Sequence, residues 1–545
     1  MLNNKQIANK FDLLAKLMEL HDENPFKIRS YANAYLSLRK LEGDLSTMGK
    51  ENIASIPGVG NAIADKIEEL VTVGEMQLLQ KYQEITPVGI QEMLSIKGLG
   101  PKKVKQIWKE MEITAIGELL YACNENRLIC YKGFGEKLQE EIKGKIEYFM
   151  DARGKFLYAH VIHHAETIVE KLVLSFPDQS FSLCEDLRRK MPEVSGIEIL
   201  STAEINILNP ILQEIGVEND NDILSFSGIP LTIHHTESLS FYLELFRRSG
   251  SLEFLDNMSI SESNYHSEEE IFHSKGIQFI PSEYRENKEV IELYKNGLTP
   301  PKLIDVTDIK GIIHNHSTYS DGLYSLEQMS DYVKACGYEY FVISDHSKSA
   351  GYAGGLQEER VLMQWREIDH LNQKYDDTFS VFKSIESDIL SDGSLDYRDE
   401  ILKEFDLVIA SVHSVLNMDE ERATSRLIKA IENPYTRILG HPTGRLLLAR
   451  SGYPIDYKKV IDACAANGVV MELNANPQRL DLDWTWIHYC MERDVLVSIN
   501  PDAHSKESIH FVKYGVAAAR KGGLTKDTCL CAKNRSEFVT WLGQK

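Results

Sequence analysis

From residue 311 onward the chain repeats one pattern. A short apolar, strand-like run alternates with a helical stretch, and nearly every run ends in His, Asp, Glu or Asn. The runs include KGIIHNH, YFVISDH, FSVFKSIESDI, FDLVIASVH, TRILGHP, VVMELNAN and VLVSINPDAH. Strands alternating with helices predict a β/α barrel, and in such barrels the chemistry sits at the C-terminal ends of the strands.

The residues at those ends are hard-metal and imidazole ligands. GIIHNHSTYSDG supplies His314, His316 and Asp321. Residues i and i+2 of a strand point the same way, so H-x-H can grip one ion. The later runs add His346, Glu386, His413 and His441, and NPDAH adds Asp502 and His504, again two apart. A single such histidine would be an ordinary core or surface residue. Nine ligand types at successive strand ends predict a metal centre. His370, His488 and His510 fall in helix-like stretches and do not join the pattern.

Motif by motif, over about 235 residues, this region resembles the PHP (polymerase and histidinol phosphatase) family. The resemblance implies a distorted (β/α)7 barrel holding three divalent ions, manganese first, with zinc or iron as alternatives. By the same resemblance, His314, His316, Glu386 and Asp502 hold one ion. Glu386, His413 and His441 hold a second, and Asp321, His346 and His504 the third. Ile312, Ser344 and Pro501 stand where the family usually has Asp, Thr and Thr. Metal-activated water needs no nucleophilic side chain. The expected catalytic set is therefore Glu386, Asp502 and His413, with Arg445 (HPTGR) and Arg479 (NPQRLDL) as candidate phosphate contacts.

The N-terminal region carries a different repeat: IPGVGNAIADKI (Ile56–Ile67), IKGLGPKKVKQI (Ile96–Ile107) and a weaker YKGFGEKLQEEI (Tyr131–Ile142), spaced by about 35–40 residues. Each places G-apolar-G before a helical pattern. The glycines allow a tight turn with positive φ, and the helix that follows offers free amides and the positive end of its dipole. Such a turn accepts a phosphate oxygen without reading a base. The repeats resemble the helix-hairpin-helix DNA-binding motif. Gly58, Gly60, Lys66, Gly98, Gly100, Lys102, Lys103, Gly133 and Gly135 are the expected DNA contacts. Ahead of them, NPFKIRSYANA resembles the start of the small N-terminal domain of family X DNA polymerases. Lys66 falls where some members carry a Schiff-base lysine for deoxyribose-phosphate removal, making it the candidate lyase residue.

Residues 151–300 should then resemble a polymerase palm and thumb. Nucleotidyl transfer uses carboxylates that hold two metal ions. In SLCEDLRRKMPEVSGIEIL the family's Gly-Ser is Glu185-Asp186, its Asp-x-Asp is Gly196-Ile197-Glu198, and its third Asp falls near Thr232. The polymerase site therefore reads as degenerate. FRRSGSLEF (Phe246–Phe254) loosely resembles the family's sugar-sensing turn, and the pairs His163-His164 and His234-His235 read as surface or strand residues.

Charge follows the same division. The chain carries a net charge of -22, against a broad basic DNA-binding face. Residues 1–150 are nonetheless balanced, with 20 basic and 21 acidic side chains, whereas 151–300 carry 12 and 25. The eight cysteines form no C-x-x-C pair and read as reduced thiols. No apolar run approaches a membrane span and the N-terminus lacks signal-peptide order, so a cytoplasmic, nucleoid-associated, monomeric protein is expected.

The expected domains are an N-terminal helical domain with the first hairpin (1–85), further hairpin repeats (86–150), a degenerate α+β polymerase-like region (151–300) and the barrel (301–545), with NGLTPPKLIDVTDIKG as linker. End to end this order resembles bacterial family X DNA polymerases that carry a C-terminal PHP domain. It implies a DNA repair enzyme acting as a 3′–5′ exonuclease on gapped, nicked or single-stranded 3′ ends. The alternatives are an active gap-filling polymerase, a phosphatase of the histidinol-phosphatase type, and a DNA-binding scaffold whose metals only stabilise it.

Overall fold

The structure, a computed structural model, describes residues 3–41, 43, 45–96, 98–151, 154–221, 223–375 and 377–544. The chain forms two compact units, Met1–Asn124 with Tyr131–Tyr148, and Glu125–Cys130 with Phe149–Lys545. Among the described residues no helix is long and apolar enough to cross a membrane.

The first unit is helical. Gly58, Gly98 and Gly133 take φ of 83°, 103° and 95°, the left-handed turn that the G-apolar-G pattern requires. Helices Asn61–Val73, Pro101–Lys109 and Glu136–Asp151 follow them. The first two start at Gly60 and Gly100 with no side-chain cap, which leaves their leading amides for another acceptor. Short helices Lys50–Ala54 and Val88–Met93 precede the first two turns, and helix Ile116–Asn124 comes before the third in the chain.

Besides a two-stranded antiparallel pair, Phe156–Leu157 with Glu193–Val194, the second unit contains two larger sheets among the described residues. The first comprises β1 (Phe181–Leu183), β2 (Ile197–Ser201), β3 (Glu218–Asp220), β4 (Ile223–Phe226) and β5 (Ile229–His235), in the order β1-β2-β5-β4-β3. Only β2 and β5 run parallel; the other pairs are antiparallel. One face packs against helix Tyr158–Ser175 through Val161, Ala165, Ile168 and Leu172.

The second sheet is the predicted barrel. It consists of β6 (Gly311–Ile312), β7 (Tyr340–Ile343), β8 (Ser380–Asp388), β9 (Leu407–Ser411), β10 (Thr436–Leu439), β11 (Val470–Asn474) and β12 (Val497–Asn500). The strands lie in sequence order and all are parallel. A bridge between Asn315 and Ala503, with His316 N donating to Ala503 O at 2.8 Å, links the segments after the first and last strands and nearly closes the ring. β9, β10, β11 and β12 are buried along their whole length, which explains their mainly apolar sequences.

Residues 151–300 and 301–545 lie in one compact unit. The end of the expected linker packs on the barrel segment, where Leu303 bridges to Thr525 and Ile304 N donates to Leu524 O at 2.8 Å. Ion pairs that no local pattern reveals join the two segments: Glu283 lies 3.2 Å from Lys190 and 2.6 Å from Arg520, and Glu286 pairs with Lys521.

Candidate metal centre

The barrel gathers all nine expected ligands at the C-terminal ends of its strands. Glu386, fully buried on β8, is the hub. Its Oε1 lies 2.9 Å from His441 Nε2, 3.1 Å from His413 Nε2 and 3.3 Å from His314 Nε2; its Oε2 lies 2.8 Å from His346 Nδ1. Asp502 Oδ1 is 3.0 Å from His316 Nε2. Asp321 stands 3.5 Å from His346 and 3.4 Å from His504. Four sets draw their ligand atoms close enough to share an ion: His316, Asp321, His346 and His504; His314, His316 and Asp502; His314, Glu386 and His441; and His346, Glu386 and His413. They overlap the three ligand sets implied by the PHP resemblance and share Glu386 and His316 as links.

The backbone is bent to achieve this. His314 and Asp502 adopt φ of 63° and 52°, a left-handed conformation unfavourable for residues with a Cβ. Both follow a strand end, and the turn directs successive side chains into one pocket.

Sequence reading missed the next layer of carboxylates. His314 Nδ1 donates to Glu472 Oε2 at 2.7 Å. His413 Nδ1 donates to Asp388 at 2.5 Å. His504 Nδ1 lies 2.5 Å from Glu125, whose other oxygen is 3.4 Å from Asn476 Nδ2. In each case a carboxylate anchors Nδ1 and turns Nε2 toward the cluster, an orientation that fixes the tautomer of a metal-bound imidazole. Glu472 and Asp388 lay inside motifs already singled out, VVMELNAN and SIESDI, so alternation on the strand could have found them. Glu125 is remote in sequence and carried no signal. Asp345 supports the loop from beneath, accepting from Ser317 N at 2.8 Å, Ser317 Oγ at 2.8 Å and Gln364 Nε2 at 2.6 Å.

The electrostatics fit bound cations. Burial favours neutral carboxyls, yet the surrounding imidazoles hold Asp321, Glu386 and Asp502 well below the usual carboxylate range. Burial likewise opposes charge on His314, but Glu472, Asp502 and Glu386 outweigh it and raise its pKa well above that of a free imidazole. For His316, burial followed by His504 and His346 prevails and lowers the value to about 3. His314 Nε2, His316 Nδ1, Asp321 Oδ2, Glu386 Oε2 and His441 Nδ1 are buried without a hydrogen-bond partner. Buried lone pairs facing one pocket in this manner need a shared positive partner.

The two arginines part company. Arg445 donates through Nε to Arg479 O at 2.9 Å, through Nη1 to Asp483 and through Nη2 to Leu480 O. These contacts tie down the 479–483 segment. Arg479 Nε lies 3.8 Å from Asp502 Oδ2, at the edge of the cluster. In the helical unit, Lys66 Nζ pairs with Glu69 at 2.6 Å.

The chain is similar to the DNA polymerase/3′-5′ exonuclease PolX of Bacillus subtilis (strain 168), 32% identical over 99% of both chains. It belongs to the PolX family of bacterial family X DNA polymerases. The match runs through both units of this PolX-family chain. Models described as a helix-hairpin-helix domain and a SAM-like helix-hairpin-helix tandem match residues 2–76 and 90–144. A "Probable phosphatase" of Thermoanaerobacter sp. (strain X514) is 32% identical over 28% of this chain and 63% of its own length. "Probable phosphatase YcdX" of Escherichia coli O81 (strain ED1a) is 28% identical over 30% of this chain and 62% of its own length.

Proposed function

We propose that the protein is a DNA repair hydrolase whose barrel cleaves phosphodiesters as a metal-dependent 3′–5′ exonuclease, with polymerase activity weak or lost. The observation that carries this reading is the convergence of six imidazoles and three carboxylates, Glu386 at their hub, beyond the strand ends, with three of the imidazoles oriented by further carboxylates. The assigned ligands are His314, His316, Asp321, His346, Glu386, His413, His441, Asp502 and His504, around three divalent ions with manganese foremost. Six carboxylates in and behind the cluster balance the formal charge of three such ions.

When bound, the ions supply Lewis acidity, lowering the pKa of water and taking up charge on phosphoryl oxygens. The chain's own residues do the rest. Glu386 bridges neighbouring ligand sets, and Glu472, Asp388 and Glu125 fix the imidazoles so that little reorganisation is needed. Arg479 at the rim is the group assigned to grip the phosphate. The hairpin amides after Gly58, Gly98 and Gly133, with Lys102 and Lys103, hold the DNA backbone.

The reading of lost polymerase activity is supported by the register of β2 and β5. Glu198 lies opposite Thr232, where a metal-binding pair would require a second carboxylate. The test is incubation of labelled single-stranded and gapped DNA with manganese, using wild type, His316→Ala and Glu386→Ala. The expected result is stepwise shortening from the 3′ end by wild type alone; equal shortening by all three would overturn it. Primer extension on the gapped substrate checks the polymerase arm. Robust extension abolished by Glu198→Ala would favour a gap-filling polymerase.

A further inference from the structure

We propose that Cys184, Glu198 and His234 form a second metal site, built for zinc, on the five-stranded sheet and separate from the barrel cluster. Three adjacent strands deliver the donors. Cys184 directly follows β1, and its backbone N donates to Glu198 O at 3.0 Å, which sets it opposite Glu198 of β2. β5 flanks β2 on the other side and pairs His234 with Leu200, two residues beyond Glu198. The thiol sulfur, a carboxylate oxygen and an imidazole nitrogen all lie within 4.8 Å of one another.

His234 Nε2 and Glu198 Oε2 are 3.4 Å apart. Zinc–oxygen and zinc–nitrogen bonds of about 2.0–2.2 Å at a tetrahedral angle place two ligands about 3.3–3.5 Å apart. The observed separation, which is also that of a long direct hydrogen bond, fits one shared ion. Cys184 is fully buried beside Leu200, Phe241 and Leu245, whereas Glu198 and His234 are half-buried, leaving an approach for the ion from one side. Glu185, the adjacent carboxylate, is instead held 2.7 Å from Arg248.

The donor set decides the metal class. Thiolate, imidazole and carboxylate together suit zinc, whereas magnesium takes oxygen ligands in octahedral geometry. This sulfur-bearing site occupies the region where the resemblance placed the nucleotidyl-transfer carboxylates. It is suited to tying three strands together rather than to paired-metal phosphoryl transfer.

Cobalt(II) substitution of the full chain tests the site, because a cysteine ligand gives cobalt a near-ultraviolet charge-transfer band that nitrogen and oxygen ligands do not. After removal of bound metals, titration with cobalt(II) should develop this band, reaching the amplitude of one cobalt–thiolate site once the barrel sites are filled as well. Zinc should abolish it, Cys184→Ser should lack it, and Glu386→Ala in the barrel should retain it. No band in wild type, or an unchanged band in Cys184→Ser, would overturn the proposal. If Cys184→Ser fails to fold by circular dichroism, His234→Ala and Glu198→Gln at half-buried positions decide it. Weakened cobalt affinity supports the site, and an unaltered titration refutes it.

Discussion

Glu472 is the sharpest point at which to perturb the barrel, because it orients ligands without being assigned as one. Its Oε2 accepts from His314 Nδ1 and from Asn500 Nδ2, both at 2.7 Å; its Oε1 accepts from His441 N and Asn474 Nδ2, both at 3.1 Å. Glu472→Gln keeps the shape but retains only one oxygen. If that oxygen stays with His441 N and Asn474, the new amide group faces two donors, and His314 must give up its Nδ1 proton to accept from it. The proton then resides on Nε2, the atom meant for the ion. Removing a partner of this kind lowers metal affinity by about 10–100-fold, or about 1.4–2.7 kcal/mol. The assay is hydrolysis of bis(p-nitrophenyl) phosphate against manganese concentration. The midpoint should rise by that factor, and saturating manganese should restore the rate to within about tenfold of wild type. An unchanged midpoint in a folded variant would refute the orienting role. A rate loss that manganese cannot relieve at any concentration would refute it equally.

Four further outcomes are expected. Glu386→Ala, which removes the hub of the cluster, should lower DNA cleavage by at least about 10³-fold and reduce bound metal by elemental analysis, while DNA binding persists. Glu125→Ala should weaken retention of the ion on His504 by about 10–100-fold in a chelator competition assay; unchanged retention would remove Glu125 from the centre. Lys102→Glu with Lys103→Glu should weaken DNA binding and reduce its salt slope by about 2, leaving hydrolysis of bis(p-nitrophenyl) phosphate unaltered. Glu283 is pulled down to about 2 against its burial by Lys190 and Arg520, from an ordinary value of 4.5. Its contribution is therefore complete above the ordinary value and lost as pH falls toward 2, about 3 kcal/mol in all. Urea unfolding of metal-free protein should show a shallower acid slope for Glu283→Gln than for wild type.

The barrel and its ligands were legible because the signal is local. Seven buried parallel strands require apolar runs, and a ligand at a strand end sits beside its run, so His314, His316, Glu386 and Asp502 could be picked out one motif at a time. The glycine turns were legible for the same reason: glycine takes a positive φ at no steric cost, so G-apolar-G marks a left-handed turn locally. Cys184, Glu198 and His234 were individually visible but not as a group. His234 read as an ordinary strand residue because its neighbours come from β1 and β2, and strand order is not written in any single strand.

The sequence by itself determined which residues end the strands, where the chain must turn left-handed, and that two kinds of architecture follow one another. Tertiary structure alone decided that Glu472, Asp388 and Glu125 stand behind the imidazoles, that Arg445 braces a loop while Arg479 reaches the cluster, and that residues 151–300 pack with the barrel as one unit. The physical reason is range. Periodicity and turn chemistry act over a few residues, whereas a carboxylate finds its histidine through tertiary packing that joins positions as distant as Glu125 and His504.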